Sequence, residues 1–216
     1  LDLDGVASLS VPAAEALARH QGYLSLPGLK ELPVAVAEAL AKNESTLFLN
    51  GLTQLPEDVA EALSKHRGKL HLDRLTSLSE AAAKHLGRHA GDLYLHGLVE
   101  MPDEVAKALG RHGGDLYLNS LTGLSDVAAE ALSEHAGELN LNRLKELPLA
   151  VAEALAKSES DLCLCGLTRL PEDVAEALSK HRGSLHLGGV EVLSASAAKH
   201  LARHDGSIYL GLTEVP

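Results

Sequence analysis

Residues 47–69 read LFLNGLTQLPEDVAEALSKHRGK, and residues 70–92 read LHLDRLTSLSEAAAKHLGRHAGD. Each opens on apolar-x-apolar, places Leu at its sixth and ninth positions, turns at Pro56 or Ser79, and runs into a stretch such as Glu57-Asp58-Val59-Ala60-Glu61-Ala62-Leu63. The same 23-residue row extends both ways almost without gaps, beginning at Leu1, Leu24, Leu47, Leu70, Leu93, Leu116, Leu139, Leu162 and Leu185, with a partial tenth row from Ile208. That last row is one residue short between Leu210 and Leu212. A fixed period across all 216 residues predicts a single stacked array of nine full rows and part of a tenth.

Two periodicities divide each row. Its start alternates with period two, as in Leu93-Tyr94-Leu95 and Leu116-Tyr117-Leu118, which predicts a strand of about three to five residues with odd side chains in the core and even ones outside. Its second half spaces Val59, Ala60, Ala62 and Leu63 as a helix does, and predicts about three helical turns. That half opens with Ser (Ser10, Ser79, Ser125, Ser194), a good N-cap, or Pro (Pro33, Pro56, Pro102, Pro148, Pro171), which suits the first turn. Gly22, Gly68, Gly91, Gly114, Gly137, Gly183 and Gly206 close most rows just past the helix, where a left-handed cap is expected. Strands this short cannot bury an apolar face alone, so equivalent strands must pair in parallel. Helices about 10 Å wide cannot stack straight over strands ~4.8 Å apart, so the array must curve. The expected fold is a right-handed α/β solenoid, with a parallel sheet on the concave face and helices on the convex face.

With Leu1-x-Leu3 and Leu47-x-Leu49-x-x-Leu52 and their equivalents in every row, the whole chain resembles the leucine-rich repeat proteins, particularly bacterial ones with strand-helix rows of this length. It departs from the asparagine ladder of that family: the sixth position holds Val6, Leu29, Leu52, Leu75, Leu98, Leu121, Leu144, Leu167 or Val190. The turn backbone then needs other partners. The resemblance implies a horseshoe that binds proteins or peptides through its concave sheet and carries no chemistry of its own.

Composition narrows the partner. The chain is 45% hydrophobic but only 2% aromatic, so the core is aliphatic. Its net charge of −11 disfavours a nucleic-acid backbone and favours basic proteins, peptides or cations. No apolar run approaches the ~20 residues that cross a bilayer, so membrane insertion is not expected. Two cysteines, Cys163-x-Cys165, are too few and too close to staple a secreted fold, and no leader pattern is evident. The cytoplasm is therefore favoured, although Leu1 and the mid-pattern stop at Pro216 suggest a trimmed fragment without caps, whose bare ends could associate end to end.

All five aromatics fall on the face predicted to look into the curve: Tyr23 just before a strand, and Phe48, Tyr94, Tyr117 and Tyr209 at the second row position. β-propensity alone would favour some of this placement, but exposed Tyr is also a frequent binding anchor. A second signal is a five-row duplication, in which residues 24–69 match residues 139–184 at 36 of 46 positions. Seven of the ten differences lie on the strand face or the adjoining turn, including Phe48 against Cys163 and Asn50 against Cys165, while exposed helix residues such as Glu57 and Lys65 are copied unchanged. The predicted partner surface comprises Phe48, His71, Tyr94, His96, Tyr117, Asn119, Asn140 and Asn142, with Asp92, Asp115 and Glu138 beside it to meet positive charge on the partner. A row of like charges, continued by Asp161, also costs a few tenths of a kcal/mol per neighbouring pair unless a cation relieves it.

Other patterns have plainer explanations. Seven of 12 histidines recur at the twentieth row position (His20, His66, His89, His112, His135, His181, His204), and where His is missing so is its glycine: Asn43 goes with Ser45, and Ser158 with Ser160. This coupling predicts a loop-closing role, with imidazole bonded to a neighbouring turn. The basic residues at position nineteen complement the helix dipole, and Glu15, Glu38, Glu61, Glu153 and Glu176 stand four residues before such a base. Cys163, Cys165 and His186 are the candidates for zinc or copper(I), but no fourth ligand is evident, and no cofactor is expected. His71, Asp73 and His96 are the best acid-base group in a chain without a catalytic motif, so no enzyme is expected. The alternative to a recognition module is a structural spacer within a larger protein.

Overall fold

The computed structural model describes residues 1–213; the last three residues of the tenth row lie outside the described residues. The helices are α1 (Val11–Leu17), α2 (Val34–Leu40), α3 (Glu57–Leu63), α4 (Glu80–Leu86), α5 (Asp103–Leu109), α6 (Asp126–Ser133), α7 (Leu149–Leu155), α8 (Glu172–Leu178) and α9 (Ala195–Leu201). The strands are β1 (Leu24–Ser25), β2 (Leu47–Phe48), β3 (Leu70–His71), β4 (Leu93–Tyr94), β5 (Leu116–Tyr117), β6 (Leu139–Asn140), β7 (Leu162–Cys163), β8 (Leu185–Leu187) and β9 (Ile208–Leu210). They form one parallel sheet in chain order, and every register partner is one 23-residue row away, as in Leu93↔Leu116 and Tyr94↔Tyr117. The molecule is a right-handed α/β solenoid of nine strands alternating with nine helices among the described residues, with the sheet lining the concave face.

Leucines at row positions one and three interlock with those at six and nine and with helix residues such as Ala60 and Leu63, and together they form one continuous core. Leu47, Leu49, Leu70, Leu72, Leu93 and Leu95 are all fully buried. Each such side chain contributes about 1.5–3 kcal/mol of burial, which is how rows without aromatic core residues hold together.

Both elements are shorter than the sequence predicts. Most strands have two residues, because pairing ends where the chain turns: the Leu29 N–H donates to the Leu26 carbonyl and the Leu52 N–H to Leu49. The helices are mostly seven residues long, about two turns, because the twentieth position must already be turning back toward the sheet. Ser10, Ser79, Ser125 and Ser194 act as the expected N-caps, each accepting from the backbone N–H three residues on. The prolines, expected inside the first turn, occupy the N-cap position itself, where φ near −60° and an extended ψ suit the ring.

The glycine prediction fails in its reason. No glycine among the described residues has positive φ, so none forms a left-handed cap. From Gly68 onward these glycines are instead selected by close stacking: a Cβ on Gly91 would lie 2.1 Å from the Gly68 carbonyl oxygen, and one on Gly137 would lie 2.2 Å from that of Gly114.

The helix-face charges also differ from expectation. Lys65 and Lys180 pair with Glu61 and Glu176 at i,i+4, but Lys42 reaches Glu15 and Lys157 reaches Glu130, both on the preceding row. Row stacking brings those carboxylates within reach, and these exposed pairs are worth little individually.

Candidate functional site

From Phe48 to Tyr117 the second row position is half-buried between fully buried neighbours, so its side chains stand on the concave face one rung apart. Parallel register then places ring over ring. Phe48 and His71 stack with centroids 4.1 Å apart, His71 and Tyr94 at 3.8 Å, and Tyr94 and Tyr117 at 4.1 Å. The result is an unbroken spine of four rings, each contact worth about 0.5–1.5 kcal/mol beyond simple burial. Tyr23 meets Phe48 edge-on at 6.0 Å, and His96 meets both Tyr94 and Tyr117 edge-on. A second, shorter stack joins His186 to Tyr209.

Asp73 sits beside the spine. Its Oδ2 is 3.3 Å from His71 Nδ1 and its Oδ1 is 3.9 Å from His96 Nε2. The structure therefore brings His71, Asp73 and His96 together on the concave face. Asp73 is oriented from the rung before it, because the Asn50 carboxamide oxygen accepts its backbone N–H.

The acidic residues before the strands are tied into the scaffold. The Asp92 carboxylate accepts the Asp115 N–H, Asp115 accepts the Glu138 N–H, and Asp161 accepts the Ser184 N–H. The N–H of Ser184 also holds the Asp161 carboxyl below its ordinary range. Backbone donors thus offset the like-charge repulsion that the sequence assigns to a partner cation. Lys69 is the member of this row that charge counting misses, since it stands at the same position with opposite sign. Its Nζ lies 2.9 Å from Asp92 Oδ2, and that contact raises the ammonium above its usual range. Along the turn, Asn119 accepts the Asn142 N–H and Asn142 accepts the Cys165 N–H, which supplies at the fourth position part of what the family's asparagines supply at the sixth.

Past Tyr117 the spine gives way to a polar network. Asn140 is buried and donates to Glu138, Asn142 donates to Asn140, and the buried Cys163 thiol donates to the same Glu138 oxygen from 3.1 Å. Burial, reinforced by that carboxylate, pushes the Cys163 thiol well above the ordinary range for cysteine. Cys165 is exposed, and both thiols are free. Cys163 and His186 are register partners, but among the described residues no three His, Cys, Asp or Glu side chains converge as metal ligands. Burial likewise raises the Tyr117 hydroxyl, with Tyr94 next to it.

No family model and no curated protein matches the sequence. Among solved structures, a leucine-rich repeat protein of Leptospira interrogans overlays with a TM-score of 0.54 at 20% identity, taking in 100% of this chain and 59% of that one. A chain of the glycosylated Toll–Spatzle complex of Drosophila overlays at 0.63 and 18% identity, over 97% of this chain and 29% of that one. This chain has the leucine-rich repeat fold. At these identities the likeness is one of architecture, and the chain spans 59% and 29% of the length of those two chains. Within the leucine-rich repeat architecture, the ring spine occupies the sheet surface that the helices leave open.

Proposed function

We propose that this chain is a non-enzymatic recognition module that binds a protein or peptide on its concave sheet. The observation that carries the reading is the continuous stack Phe48–His71–Tyr94–Tyr117, half-buried and locked ring to ring. A spine immobilised before a partner arrives loses little side-chain entropy on binding, which is what makes aromatic anchors effective. The edges of the rings, the Tyr hydroxyls and the imidazole of His96 are left to meet a partner. Asp73, Asp115 and Glu138 line the same strip and favour a partner segment bearing Arg or Lys, while the Lys69–Asp92 pair marks one margin. The neighbour solved as a Toll–Spatzle complex supports the reading only as a protein of this architecture found in a complex.

The test is affinity capture from source lysate, with the wild type and a Tyr94→Ala/Tyr117→Ala variant run in parallel at low and high salt. A partner retained by the wild type and lost by the variant is expected, with binding weakened by salt. Equal retention by both would reject the assigned surface.

A further inference from the structure

In the loops between the helices and strands β3–β6 runs a second column of rings that the recognition surface does not use. His66, His89, His112 and His135 are each 3% exposed or less, and they stack nearly parallel at 5.8, 6.0 and 5.8 Å. Both ring nitrogens of His66, His112 and His135 are buried without a hydrogen-bond partner, as is Nδ1 of His89. Only His89 bonds a neighbouring turn in the way the sequence predicts, through Nε2 at 3.0 Å from the Gly68 carbonyl oxygen. Loop closure does not itself require imidazole. Asn43 fills the equivalent place by donating to the Ala18 and His20 carbonyls and accepting the Ser45 N–H, and Ser158 accepts the Ser160 N–H in its own row. What four consecutive histidines add is a buried column that can take up protons.

The position of the column matters as much as its chemistry. These histidines lie in the loops that lead directly into β3, β4, β5 and β6, three of which carry His71, Tyr94 and Tyr117 of the ring spine. We propose that the column is an acid-triggered latch: neutral, it lets these rows pack; protonated, it opens them and dismantles the ring spine. The consequence for a bound partner rests on the recognition reading above, whereas the opening itself does not.

An imidazolium in this column would be buried, would lack acceptors on most of its nitrogens, and would face another imidazole about 6 Å away, so each protonation hinders the next. The titratable groups facing the column are the neighbouring imidazoles and, at His112, the Asp92 carboxylate; that carboxylate and nearby backbone groups, such as those of Asn43 at His66 and Gly114 at His135, favour the cation less than burial opposes it. Arg67, Arg88, Arg111 and Glu134 beside the column are solvent-exposed. Burial lowers all four histidines, His89 and His135 to about 4 from the ordinary 6.5. The unfolded chain therefore binds protons that the native column refuses. Stability is fullest above pH 6.5, falls as the pH drops toward about 4, and levels off below that.

The test is urea unfolding at pH 7 and pH 5, followed by circular dichroism, for the wild type and a His89→Asn/His135→Asn variant. Each of these histidines should raise the wild-type unfolding constant roughly 20-fold over that interval, about 400-fold for the pair, and the variant should lose that factor. An identical pH dependence in both proteins overturns the latch. Should the variant not fold, NMR titration of the wild-type imidazoles decides: column rings that stay neutral to below pH 5 support the proposal, and rings that titrate near 6.5 overturn it. In either case, hydrogen-exchange protection of the β3–β5 amides should fall at pH 5 before that of β1 and β2; uniform loss contradicts a local opening. These measurements need no partner, so their failure leaves the tyrosine test of the binding face standing, and the reverse holds.

Discussion

Residues 24–69 and 139–184 are two copies of one sequence block on one scaffold, and they differ mainly where the sheet and its adjoining turn face the groove. In the first copy Phe48 enters the ring spine against His71; in the second its counterpart Cys163 is buried, with its thiol donating to Glu138. Asn50 orients Asp73 in one, whereas Cys165 is exposed in the other. The helices beneath scarcely differ: Val59, Ala60, Ala62 and Leu63 are as buried as Val174, Ala175, Ala177 and Leu178. A framework of core leucines and alanines, with Gly51 and Gly68 kept as Gly166 and Gly183, is thus copied because every neighbouring row depends on it. The second position contacts mainly other side chains of the groove, and both it and the fourth position differ between the copies.

The comparison can be tested at several strengths. The largest effect belongs to the shared core, where Leu49→Ala and Leu164→Ala should each cost about 3 kcal/mol and by nearly equal amounts, measured by urea denaturation. A large inequality would mean that the two copies are not equivalent scaffolds. Next come the stacking glycines: Gly68→Ala and Gly183→Ala push a methyl into the Ser45 and Ser160 carbonyls and should cost about 1–3 kcal/mol each. A neutral outcome would show that the rows can spread without penalty. The caps follow, with Ser79→Ala and Ser125→Ala lowering stability by about 1 kcal/mol, while Pro102→Ala, which removes no side-chain cap bond, should cost less. The smallest change in stability, but the sharpest contrast of chemistry, is in thiol labelling at pH 7. Cys165 should react promptly and Cys163 at least about tenfold more slowly, since its thiol is buried and held protonated. Equal rates would place Cys163 in solvent and undo the contrast with Phe48.

Much of the surface was legible before any coordinates. Period two at Leu93-Tyr94-Leu95 located the face of Tyr94, and the register of equal rows aligned it with Tyr117. The sequence did not reveal that His71 would complete a stack between Phe48 and Tyr94, because a histidine at one rung carries no sign of the ring orientation at the next. Nor did it show that Asp92 and Asp115 are held by backbone N–H groups one row on, since charge counting sees carboxylates and not the donors that chain geometry points at them.

The histidine and glycine positions show the same division. Their recurrence marks a unit that closes each row, but the glycines were expected to turn left-handed and instead sit where a neighbouring carbonyl leaves no room for a Cβ. By itself the sequence determined the period, the alternation of strand and helix, the aliphatic core and the face on which the aromatics lie, because these follow from the spacing of apolar residues along one chain. Only the tertiary structure decided which rings touch, which carboxylates are already satisfied and which imidazoles are buried without partners. Those properties depend on side chains 23 residues apart, brought together when one row stacks on the next.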